Sequence, residues 1–172
     1  MSNKNIFLIG MPSSGKSTLG RTLAKALGYH FVDMDEIIER QEGKTVQLIF
    51  QEKGEEYFRK VESQVLKDIP IDNQLVIATG GGVPYFFDNM AYIKTNGKSV
   101  FIDVKPEALF QRINYAKTNH RPLIDKTDPN ALLANLQTRY EHRLPFYQQA
   151  DWTIVNPIDI EDLVGKLNKL ES

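Results

Sequence analysis

The chain has no cysteine and only one tryptophan among its 172 residues. Without cysteine there is no disulfide framework, no thiolate nucleophile and no Cys-based zinc site, and the composition fits a reducing cytoplasm. A surplus of one charge is also missing. Lys+Arg number 21 and Asp+Glu 22, for a net charge of -1, which excludes the global basic field that non-specific nucleic-acid binding uses. No apolar stretch approaches the roughly 18 residues that mark a membrane helix. The start, Met1 to Gly10, has a single Lys4 and then a short apolar run into a glycine loop, so neither a signal peptide nor a membrane span is expected. Histidine is scarce: His30, His120 and His142 show no metal-ligand spacing and are read as surface or structural residues. Internal repeats, low-complexity tracts, linkers and heptad runs are likewise lacking, and a monomer is expected. What remains is 41% hydrophobic and 25% charged, an ordinary globular composition. At about 150 residues per domain the length predicts one domain spanning residues 1–172, large enough to bury about 70% of its unfolded surface.

Short apolar runs alternate with segments of helical period. Strands are predicted at Asn5–Ile9, His30–Asp33, Leu75–Thr79, Ser99–Val104 and Asp151–Val155. Their nearly continuous Ile, Val and Phe content suits strands covered on both faces, as in a parallel sheet. Leu19, Leu23 and Leu27 are spaced by four and followed by Gly28, a helix with its C-cap. Val46, Ile49, Phe50, Phe58, Val61 and Val65 form a longer helical stretch interrupted near Gly54. Pro106 opens a helix through Leu109, Phe110 and Ile113, and Asp128-Pro129 opens another that runs to about Pro145. Ile160, Leu163, Val164, Leu167 and Leu170 give a C-terminal amphipathic helix. The expected class is α/β, a five-stranded parallel sheet flanked by helices in three layers, with right-handed crossovers. Its core would comprise 1–32, 65–113 and 129–172. The charged segment of about 33–64 and the polar loop of about 114–128 resist this pattern, and each reads as a binding region or a lid rather than filler.

Gly10-Met-Pro-Ser-Ser-Gly15-Lys16-Ser17-Thr18 matches G-x-x-x-x-G-K-[ST] between an apolar strand and an amphipathic helix. Backbone N–H groups of such a loop converge on an anion, Gly15 lets the backbone approach, Lys16 adds charge at the β/γ-phosphates, and Ser17 puts a hydroxyl where Mg²⁺ sits. The motif names a nucleoside triphosphate without naming a reaction. Guanine-reading N-K-x-D is not matched: the near misses at Asn3-Lys4 and Asn168-Lys169 lack the Asp. Val100-Phe101-Ile102-Asp103 reads equally as a Walker B strand or as a strand residue beside a turn.

Asp33 and Asp35 lie two apart at the end of the second strand, where open α/β sheets bind ligands. Alternation would point them the same way if the strand continued. Asp33 then suits a magnesium-bound water and Asp35 the proton of a substrate hydroxyl. A helix N-cap with acidic first-turn residues satisfies the same stretch. Gly80, Gly81 and Gly82 directly follow the third strand, and three glycines imply close approach or unusual dihedrals where a bare turn needs two. Arg59 and Glu62 at i, i+3 read as a surface ion pair. Arg139 and Arg143 at i, i+4 repel unless an anion lies beside them, and Arg121 puts a cation on the polar loop.

These motifs, in this order, resemble the shikimate kinases: GMPSSGKSTLGRTLA, FVDMDEIIE, FRKVE, TGGGV, RPLI and RLPFYQQA, almost end to end. The resemblance implies a P-loop kinase fold related to the nucleoside-monophosphate kinases, and phosphoryl transfer from MgATP to the 3-hydroxyl of shikimate. It implies an ATP site at Ser13, Ser14, Gly15, Lys16, Ser17, Thr18, Arg112, Arg121, Asn156 and Pro157. It implies a shikimate site at Asp35, Arg59, Gly80, Gly81, Gly82 and Arg143, and Mg²⁺ organised by Ser17 and, through water, Asp33. Lys16, Asp35 and Arg121 would be catalytic. ATP and shikimate are the expected partners, with neither nucleic acid nor membrane. Two departures stand out: Pro12-Ser13 in the phosphate loop, where the family commonly has glycine at the serine position, and Val83–Phe87, more aromatic than the family norm. A gluconate-type kinase and a non-catalytic nucleotide-binding module are the alternatives. The FVDMD, GGG and RLPFY set weighs against the first, and the intact Lys16, Ser17, Asp33 and Asp35 weigh against the second.

Overall fold

The computed structural model of the chain describes residues 4–115, 128–155 and 158–169. Five strands form one parallel sheet in the order β2-β3-β1-β4-β5: β1 Asn5–Ile9, β2 His30–Asp33, β3 Leu75–Ala78, β4 Gly97–Ile102 and β5 Trp152–Ile154. Every residue of β1 and β3 is buried, whereas the edge strands β2 and β5 are half-covered. That gradient explains why the central strands read as unbroken apolar runs. Asn5 is the polar exception in β1. Its amide donates to Pro70 O at 2.7 Å and accepts from Asn73 N and Leu75 N, both at 3.1 Å, so it anchors the chain entering β3.

Among the described residues seven helices flank the sheet: α1 Lys16–Leu27, α2 Met34–Glu42, α3 Val46–Asp68, α4 Asn89–Asn96, α5 Pro106–Tyr115, α6 Pro129–Tyr147 and α7 Ile160–Lys169. Helix α1 ends on Gly28 at φ 71°, the left-handed cap its sequence predicts. Within α3 the helical backbone breaks at Gly54, φ 82° and ψ 172°, and resumes toward Arg59 and Glu62. Asp128 caps α6 by accepting from Asn130 N at 2.9 Å. Helix α6 continues through Pro145 to Tyr147, two residues past the expected end.

Strand β2 ends at Asp33, as predicted, so of the two readings of the Asp33–Asp35 stretch the helix N-cap holds and strand alternation does not extend to Asp35. Asp33 is the N-cap of α2 and accepts from Asp35 N at 2.9 Å. Helix α4 was not expected, because its residues NMAYIKTN have little apolar periodicity. It is held through its first residue, Asn89, which is fully buried, accepts from Ser63 Oγ and donates to Val83 O. No helix among the described residues is long and apolar enough to cross a membrane. The lid segment expected at about 114–128 lies mostly outside the described residues.

Candidate active site

The carboxyl ends of β1, β2 and β3 open on one cavity of about 240 Å³. It is lined by the phosphate loop from Ser13 to Thr18, by Asp33 and Asp35 at the start of α2, and by Ala78 to Gly81 after β3. The loop is shaped by backbone that side chains rarely adopt: Gly10 at φ 148°, Ser13 at 66° and Gly15 at 94°. A Cβ on Gly10 would stand 2.7 Å from Ile102 O, so the first glycine is required by close packing as well as by dihedral. Lys16 is buried and donates to Gly10 O and Met11 O, both at 2.8 Å, which folds its ammonium back over the loop. Arg112 reaches across from α5 to donate to Ser13 O at 3.1 Å. The residues expected at the nucleotide therefore converge, apart from Arg121, Asn156 and Pro157, which lie outside the described residues.

Ser17 Oγ donates to Asp33 Oδ2 at 2.7 Å. The two oxygens are hard donors side by side at the mouth of the loop, the kind of partial set magnesium takes when phosphates and water complete its shell. Among the described residues no group of three His, Cys, Asp or Glu side chains could hold a metal by itself. Asp33 meets both of its sequence readings, since one carboxylate oxygen caps α2 and the other faces Ser17. Asp103, the Walker B candidate, is instead engaged by Tyr140 OH and Lys105 Nζ, each at 2.8 Å.

The three glycines after β3 are explained by close approach rather than by left-handed backbone. A Cβ on Gly80 would overlap Glu62 Oε2, one on Gly81 would lie 2.5 Å from Pro12 Cδ and 3.1 Å from Arg143 Nη1, and one on Gly82 would lie 2.5 Å from Arg59 Nη1. The glycine turn thus lets two guanidiniums pack close against it, Arg143 at Gly81, which lines the cavity, and Arg59 at the next residue, Gly82. Arg59 is 4% exposed and Arg143 5%. Arg143 Nη1 is buried with no hydrogen-bond partner, an unusual state for a charged donor and one that an incoming anion would relieve. Tyr147, one helical turn beyond Arg143, donates to Gly81 O and pins α6 to the turn. Burial pushes its phenol up to about 12, so it stays a donor.

The Arg59–Glu62 pair corrects the sequence reading. It is not a surface pair: Arg59 Nη1 donates to Glu62 Oε1 at 2.9 Å with both side chains buried. Burial pushes the Glu62 carboxyl up to about 7, against the pull of Arg59, and the Asp35 charge adds to the rise. On its other edge Arg59 donates to the exposed Glu55 through Nε and Nη2, at 3.3 and 3.1 Å. Glu55 also supplies negative charge to Arg139, whose guanidinium is pulled below its usual range by burial and by Arg143. Sequence reasoning missed Glu62 as a site residue. The available signal was its place among Phe58, Val65 and Leu66 on the buried face of α3. His30 and His142 are exposed, as expected, and His120 lies outside the described residues.

The family model for shikimate kinase matches residues 12–162, most of the chain. The chain belongs to the shikimate kinase family. A family member from Bacteroides fragilis is 41% identical over 170 residues, covering 96% of this chain and 94% of that protein. The crystal structure of shikimate kinase from Bacteroides thetaiotaomicron is 37% identical, covers 97% of both chains and superposes with a TM-score of 0.86. Shikimate kinase from Acinetobacter baumannii, solved in complex with shikimate, is 36% identical over 97% of this chain and 92% of its own, with a TM-score of 0.84. A gluconokinase from Sinorhizobium meliloti shares the fold alone, at 16% identity and a TM-score of 0.52. Family membership makes the two departures in the sequence local variations on the kinase fold. Ser13 keeps the left-handed backbone that a glycine adopts without strain, and in the aromatic segment Val83–Tyr85 form a short 3-10 turn that delivers Phe86 over Arg59.

Proposed function

We propose that the chain transfers the γ-phosphoryl group of ATP to the 3-hydroxyl of shikimate, giving shikimate 3-phosphate and ADP. The observation that carries this reading is a single cavity with a phosphate loop at one end, the Asp35 carboxylate beside it, and the buried guanidiniums of Arg59 and Arg143 behind Gly82 and Gly81. An acceptor that fits must offer both a hydroxyl and a carboxylate.

In this reading backbone N–H groups of the loop hold the triphosphate, and Lys16 leaves the carbonyls of Gly10 and Met11 for the β- and γ-phosphates. Ser17 and Asp33 fit the nucleotide's magnesium, Asp33 through water, and the bound ion supplies neutralisation of phosphate charge. Arg112, already on Ser13 O, flanks the nucleotide. The substrate carboxylate takes the free Nη1 of Arg143 and displaces Glu55 from Arg59, whose planar fork can hold both oxygens. Asp35 accepts the proton of the 3-hydroxyl as its oxygen bonds to the γ-phosphorus and the bond to the β,γ-bridging oxygen breaks. Arg121, Asn156 and Pro157 are assigned to the nucleotide on family resemblance. We take the chain to act in the cytoplasm as a monomer.

A coupled assay for ADP release, run with shikimate, with gluconate and without acceptor, tests the reading. Release is expected with shikimate and at background otherwise. Release with gluconate alone would overturn the substrate assignment, and acceptor-independent release would make the chain an ATPase.

A further inference from the structure

Three aromatic rings surround the Arg59 guanidinium. Its central carbon lies 4.4 Å from the ring centre of Phe86, 5.4 Å from Phe58 and 5.7 Å from Phe50. Phe58 and Phe50 belong to the same helix as the arginine, but Phe86 arrives from the turn after the three glycines, and it is the nearest. The edges of the guanidinium are taken by carboxylates, Glu62 on Nη1 and Glu55 on Nε and Nη2. Edge bonds of this kind fix where the donors point only while both carboxylates stay. Glu55 is about half exposed, and it is the partner the substrate displaces in the function proposed above. Once it leaves, Glu62 still holds Nη1, and a face contact is what resists rotation of the guanidinium plane about that one bond.

Phe86 is itself tied to the second arginine. Its ring meets Tyr85 edge-on at 5.1 Å and 89°, and Tyr85 meets Phe146 at 5.3 Å and 78°. Phe146 lies on α6 three residues beyond Arg143. The series of Arg59, Phe86, Tyr85 and Phe146 therefore spans from α3 to α6, the two helices that carry the guanidiniums. Edge-on ring contacts are directional, so the series sets a spacing as well as filling volume.

We propose that Phe86 is a positioning residue for substrate recognition. Its ring, braced through Tyr85 and Phe146 against α6, holds the Arg59 guanidinium in the plane and at the spacing from Arg143 that a substrate carboxylate needs. The assignment rests on the proposed function, because it takes the carboxylate to bind at these two arginines. It acts on carboxylate-bearing ligands alone, and this separates it from a general packing role.

Binding is measured by calorimetry on the full chain for shikimate, for the primary alcohol made by reducing its carboxylate, and for ATP. Phe86→Leu keeps apolar volume and removes the π face; Phe86→Met serves if the leucine variant does not melt like the wild type. The ring-less variant should bind shikimate about 5- to 30-fold more weakly, the range a desolvated cation–π contact supplies. Its affinity for the alcohol and for ATP should stay within about twofold, and Phe86→Tyr, which keeps the ring, should bind shikimate like the wild type. The proposal is overturned if the ring-less variant binds shikimate normally, if it loses shikimate and alcohol by equal factors, or if Phe86→Tyr loses as much. Wild-type protein that holds the alcohol as tightly as shikimate would instead overturn the carboxylate assignment itself.

Discussion

Ser13 holds a φ of 66° inside the phosphate loop, where its side chain crowds the backbone as a glycine would not. Ser13→Gly removes that strain but adds freedom to the unfolded chain, so the net gain should be about 0.5–1 kcal/mol. For a protein of this size the melting temperature should rise by roughly 1–4 °C. An unchanged or lower melting point would show that the serine side chain contributes more than its backbone costs. Glu62 supports a pH prediction. Its folded pKa of about 7 stands above the ordinary 4.5, so the folded protein binds a proton that the unfolded chain releases between those values. Stability from this group is fully present below about pH 4.5 and declines as pH rises through 7. The groups whose charges act on it are Arg59, Asp35 and Arg143. A substrate carboxylate on Arg59 and Arg143 adds a like charge and pushes Glu62 higher still. Shikimate binding near pH 7 should therefore take up part of a proton, and affinity should fall as pH rises. Calorimetry in buffers of different ionisation enthalpy reads the uptake, and Glu62→Gln should abolish it.

The decisive element is α3, and its kink carries the site. Gly54 at φ 82° and ψ 172° occupies a region that is almost closed to other residues, and no atom lies within 4 Å of where its Cβ would be. Any penalty of substitution is therefore backbone strain alone. Gly54→Ala should cost about 1–3 kcal/mol and lower the melting temperature by roughly 2–12 °C. It should also weaken shikimate more than ATP, because Glu55 and Arg59 follow the kink directly; equal loss for both ligands would mean the kink has no special hold on the acceptor site. Glycine at this position interrupts the apolar pattern, which is why the break was legible in sequence. The end of β2 at Asp33 was legible too, and the N-cap that turns the chain into α2, Asp33 accepting from Asp35 N, was one of the two readings of that stretch. Helix α4 was not legible: its hold comes from Asn89 reaching Ser63 and Val83 O, contacts across 26 and 6 residues that no local period records.

For the whole molecule, nucleotide binding couples the loop to global stability. Lys16 donates to two loop carbonyls, so Lys16→Ala loosens the loop it crosses and, in the proposed function, also removes a phosphate ligand. Saturating ATP at about 100 times its dissociation constant should stabilise the wild type by about 2.7 kcal/mol, a rise of roughly 5–10 °C in melting temperature. The variant should melt slightly lower without ligand and gain less than a third of that rise; a full gain would remove Lys16 from the phosphate site. Much of this architecture was open to reading from the chain alone. Buried parallel strands must be apolar on both faces, helices between them must show a 3.6 period, and a triphosphate loop needs its glycines, lysine and hydroxyl at set spacing. These are local constraints, and they determined the strand count, the helix caps and the glycine loop that lines one end of the cavity. The acceptor end depended on the tertiary structure. Burial of Arg59 with Glu62, the absence of a partner on Arg143 Nη1, the fit of each guanidinium against its own glycine, and the ring of Phe86 over Arg59 join residues from three separate segments. Whether a charge is solvated or buried is decided by what covers it. A guanidinium that is a surface cation in sequence becomes a recognition group only when helices, glycine turn and rings close around it.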